Sequence, residues 1–392
     1  MPENRRLRAR SEPHPVAARP IEGVGTDTTA FVGVTAAGPP AVTPRPLGGY
    51  QDFLGVYGRP DDPPAGRPAG GPPDLAGILA GSVRAFFDNG GRRLYVSRVT
   101  FAPARSGAAA YAEALERLEA VEDVAIVAAP GASALDDGAG IQSALVAHAD
   151  ATRDRFAVLD TAPGLSVDAA REARGRLESS RAALYYPWVV AADPDAARGR
   201  GGRLRERVLP PSGFVCGVYA RSDRERGVWK APANLLLRGA RRFERDLNKL
   251  QNEVLNQAGV NCLRRFPVRG LRVWGARTVS SDPEWKYVSM RRYLIFLEQS
   301  ITRGMRWAVF EPNAELLWTA VRQSVTAFLH AQWRRGALLG GRPAEAYFVR
   351  CDRSTMTQDD IRHGRLVCLI GVAPARPSEF VIFRIGQDTA GR

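Results

Sequence analysis

Short apolar segments with the composition of β-strands alternate with helical segments along the first half of the chain, and this alternation constrains the fold most strongly. The strand at residues 124–128 is apolar throughout, as expected in a sheet that is covered on both faces. Strands that are separated by helices pair in parallel through right-handed crossovers. We therefore predict an α/β domain with a mixed, largely parallel sheet flanked by helices. The predicted strands are 29–35, 94–99, 124–128, 156–159 and 183–186, and the helices between them are 74–88, 111–120, 141–150 and 167–177.

The second half of the chain has a different order of predicted elements. Residues 193–211 are rich in Arg, Gly and Pro and are predicted to form a surface loop, and a helix is predicted near 239–255. The elements that follow residue 260 are assigned to a C-terminal α/β domain, so that the fold class is α/β and α+β with terminal arms. The strands predicted there are 261–265, 272–274, 307–310, 346–350, 366–372 and 379–385, with long helices near 283–302 and 314–335.

These patterns divide the chain into four predicted segments. Residues 1–20 have almost no apolar periodicity and are interpreted as an extended N-terminal arm. An α/β domain at 21–258 and a C-terminal domain at 259–376 follow it. Residues 377–392 are predicted to form a C-terminal strand or arm.

The chain is strongly basic, which indicates an acidic partner. Of its 392 residues 55 are Lys or Arg, and the formal net charge is +14. The charge is spread along the chain, without the aromatic and basic interleaving of RNA-binding motifs, so the sequence disfavours nucleic acid as the partner. A basic nucleic-acid-associated structural protein remains the alternative function. No apolar segment is long enough to cross a bilayer, and residues 1–20 lack the apolar region of a secretory signal, so we expect no membrane insertion.

Sequence motifs for catalysis, metal or cofactor binding are lacking. The four histidines form no HxxxH or HExxH pair, and no Gly-x-Ser-x-Gly segment presents a nucleophile. We predict no catalytic residue, no metal, no cofactor and no enzymatic activity, with a degenerate hydrolase as the alternative. The four cysteines lack CxxC spacing and are interpreted as reduced core residues rather than as a disulfide or metal site. Thr357 and Asp360 fit a capping box that opens a short helix.

The last predicted strand is apolar on both faces. Alternation places Phe380 and Ile382 on one face and Val381, Phe383 and Ile385 on the other. Such a strand cannot stand at an open sheet edge without risk of aggregation. It is either an interior strand of the chain's own sheet or a strand that a neighbouring subunit receives. Its residues are Glu379, Phe380, Val381, Ile382, Phe383, Arg384 and Ile385.

A series of ordered motifs resembles the contractile tail sheath family, the outer tube of phage tails and phage-tail-like injection devices. The resemblance runs from about Ile21 to the C-terminus and is densest after Val260. The motifs are EGVGTDTTAFVG at 22–33, FFDNGG at 86–91, KAPAN at 230–234, NCLR at 261–264, RVWGARTVSSDPEWKY at 272–287, FEPN at 310–313, CDR at 351–353, TMTQDD at 355–360, GVAP at 371–374 and EF at 379–380.

The resemblance implies a protomer of sixfold rings that stack helically around an inner tube and contract. It implies a first domain with a subtilisin-like fold but without the protease triad, and terminal arms that insert strands into neighbouring subunits. The strand at 379–385 would then be the donated one. The implied partners are other copies of the chain, an inner tube protein, and baseplate or terminator proteins. Assembly would take place in the bacterial cytoplasm, with release of the particle from the cell left open.

Two regions carry further expectations. Residues 5–15 contain prolines and repeated arginines where the family has a β-rich arm, so a minor or terminal sheath paralogue is an alternative to the bulk subunit. The predicted helix at 314–335 has a basic side, which is either a solvated face or a contact to an acidic inner tube. Its candidate tube-contact residues are Arg322, His330, Arg334 and Arg335.

Overall fold

The structure is a computed structural model that describes residues 17–39, 44–59, 74–101, 106–193 and 205–377. Contacts within the chain separate two compact units. The large unit comprises the described residues from 24 to 297 together with 376–377, and the small unit comprises the described residues of 17–23 and 298–375.

The large unit is built on an eight-stranded sheet that confirms the predicted fold class. Its order is β2-β1-β3-β4-β5-β10-β11-β8. The first six strands in this order pair in parallel, β11 pairs with β10 in antiparallel orientation, and β8 pairs with β11 in antiparallel orientation. The strands are β1 (Thr29–Gly33), β2 (Leu94–Arg98), β3 (Ile126–Ala128), β4 (Phe156–Asp160), β5 (Ala182–Tyr186), β6 (Val189–Asp193), β7 (Arg205–Leu209), β8 (Leu235–Leu236), β9 (Ala240–Phe243), β10 (Val260–Phe266) and β11 (Gly270–Val273).

Helices cover both faces of this sheet, as the apolar strands predict. Alternate residues of β1 show the arrangement, because Phe31 belongs to one buried cluster while Ala30 and Val32 belong to the other. β7, β6 and β9 form a separate antiparallel sheet. The helices of the large unit are α1 (Tyr50–Tyr57), α2 (Leu75–Asp88), α3 (Gly107–Glu119), α4 (Gly138–Thr152), α5 (Val167–Gly175), α6 (Pro211–Arg226) and α7 (Lys249–Gln257).

The small unit combines helices with a two-stranded antiparallel sheet, β12 (Tyr347–Arg350) and β13 (Leu369–Val372). Its helices are α9 (Glu315–Arg334), α10 (Pro343–Ala346) and α11 (Gln358–Arg362), and α8 (Val288–Gly304) contains the division between the units. The predicted capping box opens α11, because Thr357 accepts from the Asp360 backbone and Asp360 accepts from that of Thr357. Residues 17–20 have no regular structure, and the Arg19 backbone N–H donates to Ser324 of α9 at 3.0 Å.

Three predictions of local structure are wrong. The predicted loop at 193–211 contains β7, and the predicted helix at 239–255 is the strand β9 followed by α7, which starts at an Asn248 capping box. The predicted strand at 307–310 is a 3₁₀ turn, Arg306–Ala308, and Phe310 has a φ of +70° that a strand cannot accommodate. α6 was not predicted at all. It is buried along residues 211–223, so it lacks the one-sided apolar period of a surface helix.

The strands β10 and β11 follow the predicted domain boundary at residue 258 yet complete the eight-stranded sheet of the large unit. The division into arms and domains at residues 20, 258 and 376 stays a prediction. The strand predicted at 379–385 and residues 1–16 of the predicted arm lie outside the described residues.

Candidate assembly surfaces

The two-stranded sheet of the small unit, named here the β12–β13 ribbon, presents open strand edges. Among the described residues each of its strands has one strand neighbour, with Tyr347 opposite Val372 and Arg350 opposite Leu369. A two-stranded sheet is marginally stable by itself, and an open edge offers unpaired N–H and C=O groups to a further strand. The ribbon is therefore suited to receive a strand by main-chain hydrogen bonding.

The two faces of the ribbon differ. Tyr347 lies on the face toward α9, where its hydroxyl is 3.3 Å from His330 Nδ1. The opposite face exposes Phe348 and Leu369, which are 51% and 49% exposed. The Phe348 ring lies over Gly371, since a Cβ at that glycine would come within 2.1 Å of the ring. The outward face thus offers exposed apolar side chains beside the open edges, with the Arg350 guanidinium over the Phe348 ring on the same face.

A groove of about 770 Å³ runs along the small unit beside the ribbon. Met305, Leu317 and Ile370 contribute to its apolar lining, and Cys368 also lines it. Phe310 stands at its side with a fully exposed side chain on a backbone of positive φ. A bulky residue in that conformation is unusual, so the fold holds this aromatic ring outward at the cost of backbone strain. Sequence reasoning placed Phe310 in a predicted strand and in the FEPN motif, but it did not predict that the ring is exposed on a backbone of positive φ.

The four predicted tube-contact residues differ in exposure. Arg322 is half-buried and its guanidinium lies 3.5 Å from the Cys351 carbonyl oxygen, so it faces its own small unit. His330 is exposed and lies beside Tyr347 and Trp333. Arg334 and Arg335 are exposed at the end of α9. Arg334 and Arg335 are thus placed for an external partner, and His330 is accessible from the same helix. The predicted inter-subunit residues 379–385 lie outside the described residues, starting two positions after the last of them.

A buried carboxyl group in the large unit was also missed by sequence reasoning. Asp160 ends β4 and accepts hydrogen bonds from the Ser212 backbone N–H at 2.7 Å and the Ser212 hydroxyl at 2.5 Å. Complete burial raises the pKa of Asp160 from 3.8 to about 7, although both hydrogen bonds oppose this change. The pair fixes the start of α6 against the sheet.

Two of the described histidines, His148 and His363, lie beside charged side chains. His148 is buried beside the Arg155 guanidinium, and desolvation lowers its pKa to about 4. His363 lies next to Asp359 on α11. The Ser212 hydroxyl donates to the Asp160 carboxylate, and this pair anchors α6 to the sheet.

The described residues contain neither a candidate metal site nor a candidate membrane span. In the described ranges no group of three or more His, Cys, Asp and Glu side chains is placed to hold a metal ion. None of the helices in the described part of the chain has the length and apolar character needed to span a bilayer.

Two sequence families match the chain in succession. The phage tail sheath protein central domain matches residues 104–279, and the phage tail sheath C-terminal domain matches residues 280–387. The tail sheath protein of Burkholderia phage BcepMu is 29% identical over 175 residues, which are 41% of this chain and 34% of that protein. The chain spans between 26% and 46% of the length of the curated relatives that it matches.

Solved structures match over nearly the whole chain. A chain in the cryo-EM structure of the six-fold symmetrised anti-feeding prophage baseplate is 30% identical, with a TM-score of 0.77 and coverage of 95% of this chain and 97% of that one. A chain of the contracted sheath complex of the extracellular contractile injection system PVC is 29% identical, with a TM-score of 0.76 and coverage of 96% and 95%. The contracted helical sheath of the anti-feeding prophage gives 29% identity, a TM-score of 0.74 and coverage of 99% and 100%.

Proposed function

Because the chain belongs to the contractile tail sheath family, we propose that it forms sixfold rings that stack helically around an inner tube and contract to drive the tube through a target envelope. It is a structural sheath protein of a phage tail or tail-like particle. Its role in this proposal is mechanical, without catalysis and without a cofactor. Contraction is a rigid-body rearrangement of protomers from a trapped extended state.

The open edges of the β12–β13 ribbon are the observation that carries this proposal. A ring or helical lattice requires each copy to offer a donor and an acceptor, and a head-to-tail contact that does not close on itself generates a tube. The ribbon supplies an acceptor edge, and residues 379–385 supply a two-sided apolar donor sequence. Main-chain bonds between copies would keep the lattice connected while the protomers rotate.

The inner tube, baseplate and terminator proteins are proposed as further partners. Arg334 and Arg335 supply exposed positive charge for an acidic tube surface. The resemblance to a chain of a baseplate structure is about as strong as that to a helical sheath. Both a position in the main tube and a position at its baseplate end are therefore supported. We propose assembly in the bacterial cytoplasm and function outside it as part of the released particle.

Negative-stain electron microscopy of the full chain, with and without its tube protein, tests the proposal. Full-length protein is expected to form rings or tubes with axial striations. A variant that lacks residues 379–392 is expected to stay soluble and unpolymerised, because the donor sequence is gone. Tubes of ordinary length from this truncation would contradict strand donation. Salt-sensitive DNA binding by the unassembled chain, without any ring or tube, would instead support the nucleic-acid-associated alternative.

A further inference from the structure

Two of the four cysteines lie opposite each other at the end of the β12–β13 ribbon. The register pairs Tyr347 with Val372 and Arg350 with Leu369, so one further step pairs Cys351 with Cys368. Side chains alternate between the faces of a strand, and both cysteines fall on the face of Tyr347, toward α9. The thiols share a hydrogen bond in which Cys351 is the donor.

The type of cross-strand position favours a bond between the two sulfurs. The Ala373 backbone N–H donates to the Ala346 carbonyl at 2.8 Å, which makes this opposed pair a hydrogen-bonded one. Hydrogen-bonded and non-hydrogen-bonded pairs alternate along an antiparallel ladder. The pair of Cys351 and Cys368 lies five steps along the ladder from the pair of Ala346 and Ala373. Because five is an odd number of steps, the cysteine pair is a non-hydrogen-bonded one. Opposed Cα atoms in such pairs are about 4.5 Å apart, within the range of roughly 4.4 to 6.8 Å that a disulfide spans.

A hydrogen bond beyond the cysteines holds the two strand ends together. The Thr355 hydroxyl donates to the Val367 carbonyl at 2.8 Å, next to Cys368. The cysteine pair is therefore enclosed between this bond and the last ladder pair, Arg350 with Leu369. These two flanking interactions hold the two thiols close to each other.

Only one of the two thiols is accessible. Cys351 is fully buried, whereas Cys368 is half-buried and lines the groove of the small unit. The hydrogen bond from Cys351 lowers the pKa of Cys368, and the same bond raises the pKa of Cys351. The thiolate is the reactive form, so the accessible cysteine is also the better nucleophile.

We propose that Cys351 and Cys368 form an oxidation site, which a low-molecular-weight disulfide such as glutathione disulfide converts into an intrachain disulfide. The Cys368 thiolate attacks one sulfur of the oxidant, forms a mixed disulfide and releases one glutathione thiolate. Cys351 then loses its proton and attacks the Cys368 sulfur, which releases the second glutathione thiol. The two protein thiols are oxidised by two electrons, and one glutathione disulfide is reduced to two thiols.

The disulfide would close the chain between β12 and β13 covalently. The segment between the two cysteines includes α11. Among the described residues, the disulfide would therefore fix the end of the ribbon just beyond its last ladder pair. This inference does not depend on the proposed function. It concerns chemistry within the small unit and holds for a single copy.

Incubation of the full-length protein with glutathione disulfide, alkylation of the remaining thiols and peptide mass spectrometry test the proposal. We expect a peptide linked through Cys351 and Cys368, the loss of two free thiols per chain, and reversal by a dithiol reductant. Cys216 and Cys262 are buried in the large unit and are expected to remain free thiols. The variant Cys351→Ser should instead accumulate a stable mixed disulfide at Cys368.

Three results would overturn the proposal. They are four free thiols after prolonged incubation, a wild-type protein that stops at glutathione on Cys368, and a bond that joins Cys368 of two copies. Cys262→Ser is the matched control, because it removes a buried thiol outside the ribbon and should leave the linkage unchanged. Since the main measurement uses the unmutated chain, a folding defect in a variant cannot obscure it.

Discussion

At the residue scale, one well-buried interaction is an ion pair in the large unit. The Arg292 guanidinium donates to both carboxylate oxygens of Asp223 at 3.0 and 2.7 Å, and the two side chains are 3% and 2% exposed. Arg292 also donates to the Thr26 carbonyl and lies over the Tyr219 ring. The guanidinium thus makes a third hydrogen bond and a cation–π contact inside the protein, besides its two bonds to Asp223.

Arg292→Met is expected to lower the free energy of unfolding by about 3–5 kcal/mol, because it leaves the Asp223 carboxylate buried without its counter-charge. The double variant Arg292→Met/Asp223→Leu removes both charges and should recover most of this loss. Urea denaturation of the three proteins measures the effect. A double variant as unstable as the single one would show that the pair acts through packing rather than charge.

The buried Asp160 carboxyl predicts a pH dependence of stability. Its pKa is raised from 3.8 to about 7, so the folded chain binds a proton there that the unfolded chain has already released. Its contribution to stability is complete below pH 3.8 and is lost as the pH rises to about 7, by up to about 1.4 kcal/mol per pH unit. Asp160→Asn keeps an acceptor for the Ser212 backbone and should flatten this part of the profile. An unchanged slope in the variant would assign it to other groups.

Sequence predicts the role of a side chain well where its hydrogen-bond partner is close in the chain. The Thr357 capping box depends on a neighbour three positions away, and it is present. The partners of Arg292 and Asp160 lie 69 and 52 positions away in the chain. Nothing in the local pattern around either residue indicates its partner, so these contacts required the fold.

At the element scale, the close approach of α2 and α6 depends on glycine. A Cβ at Gly217 would lie 2.4 Å from the Phe86 carbonyl oxygen and 2.8 Å from the Asn89 Cβ. Gly217→Ala should therefore force the helices apart and lower the free energy of unfolding by about 1–3 kcal/mol. Gly175→Ala is the matched control, because nothing lies within 4 Å of its Cβ position. Equal stability of both variants in thermal unfolding would contradict this packing.

The exposed end of α9 predicts an effect on assembly rather than on folding. Arg334→Glu/Arg335→Glu should change the free energy of unfolding of the monomer by less than about 0.5 kcal/mol and prevent growth of sheath on the inner tube. Arg171→Glu, an exposed charge reversal on α5, serves as control and should leave assembly unchanged. Co-sedimentation with the tube protein measures both. Normal co-sedimentation of the double variant would exclude these arginines as a tube contact.

Elements were predictable where apolar periodicity is one-sided. The strands β1 to β5 and the helices α2 to α5 follow from alternation, whereas α1, between β1 and α2, was not predicted. α6 escaped prediction because it is buried on all sides, and β6 and β7 escaped it because arginines and glycines dominate the segment between them. The candidate tube-contact stripe stays a prediction, and periodicity alone could not show that Arg322 faces the ribbon or that His330 contacts Tyr347.

At the scale of the whole molecule, the chain combines a complete α/β core with a small unit whose sheet has open edges. The large sheet is covered by helices on both faces, and its buried clusters account for an independent fold. The β12–β13 ribbon, by contrast, has two strands and an exposed apolar face. This difference suits a protein that folds alone and reaches its final state only in an assembly.

The most direct test of this account is a cryo-EM reconstruction of the assembled protein at a resolution that traces the backbone. The account predicts that residues 379–385 of one copy lie as a strand along an edge of the β12–β13 ribbon of a neighbouring copy, with main-chain hydrogen bonds between them. A reconstruction in which this segment is enclosed within its own chain, and no strand passes between copies, would contradict it.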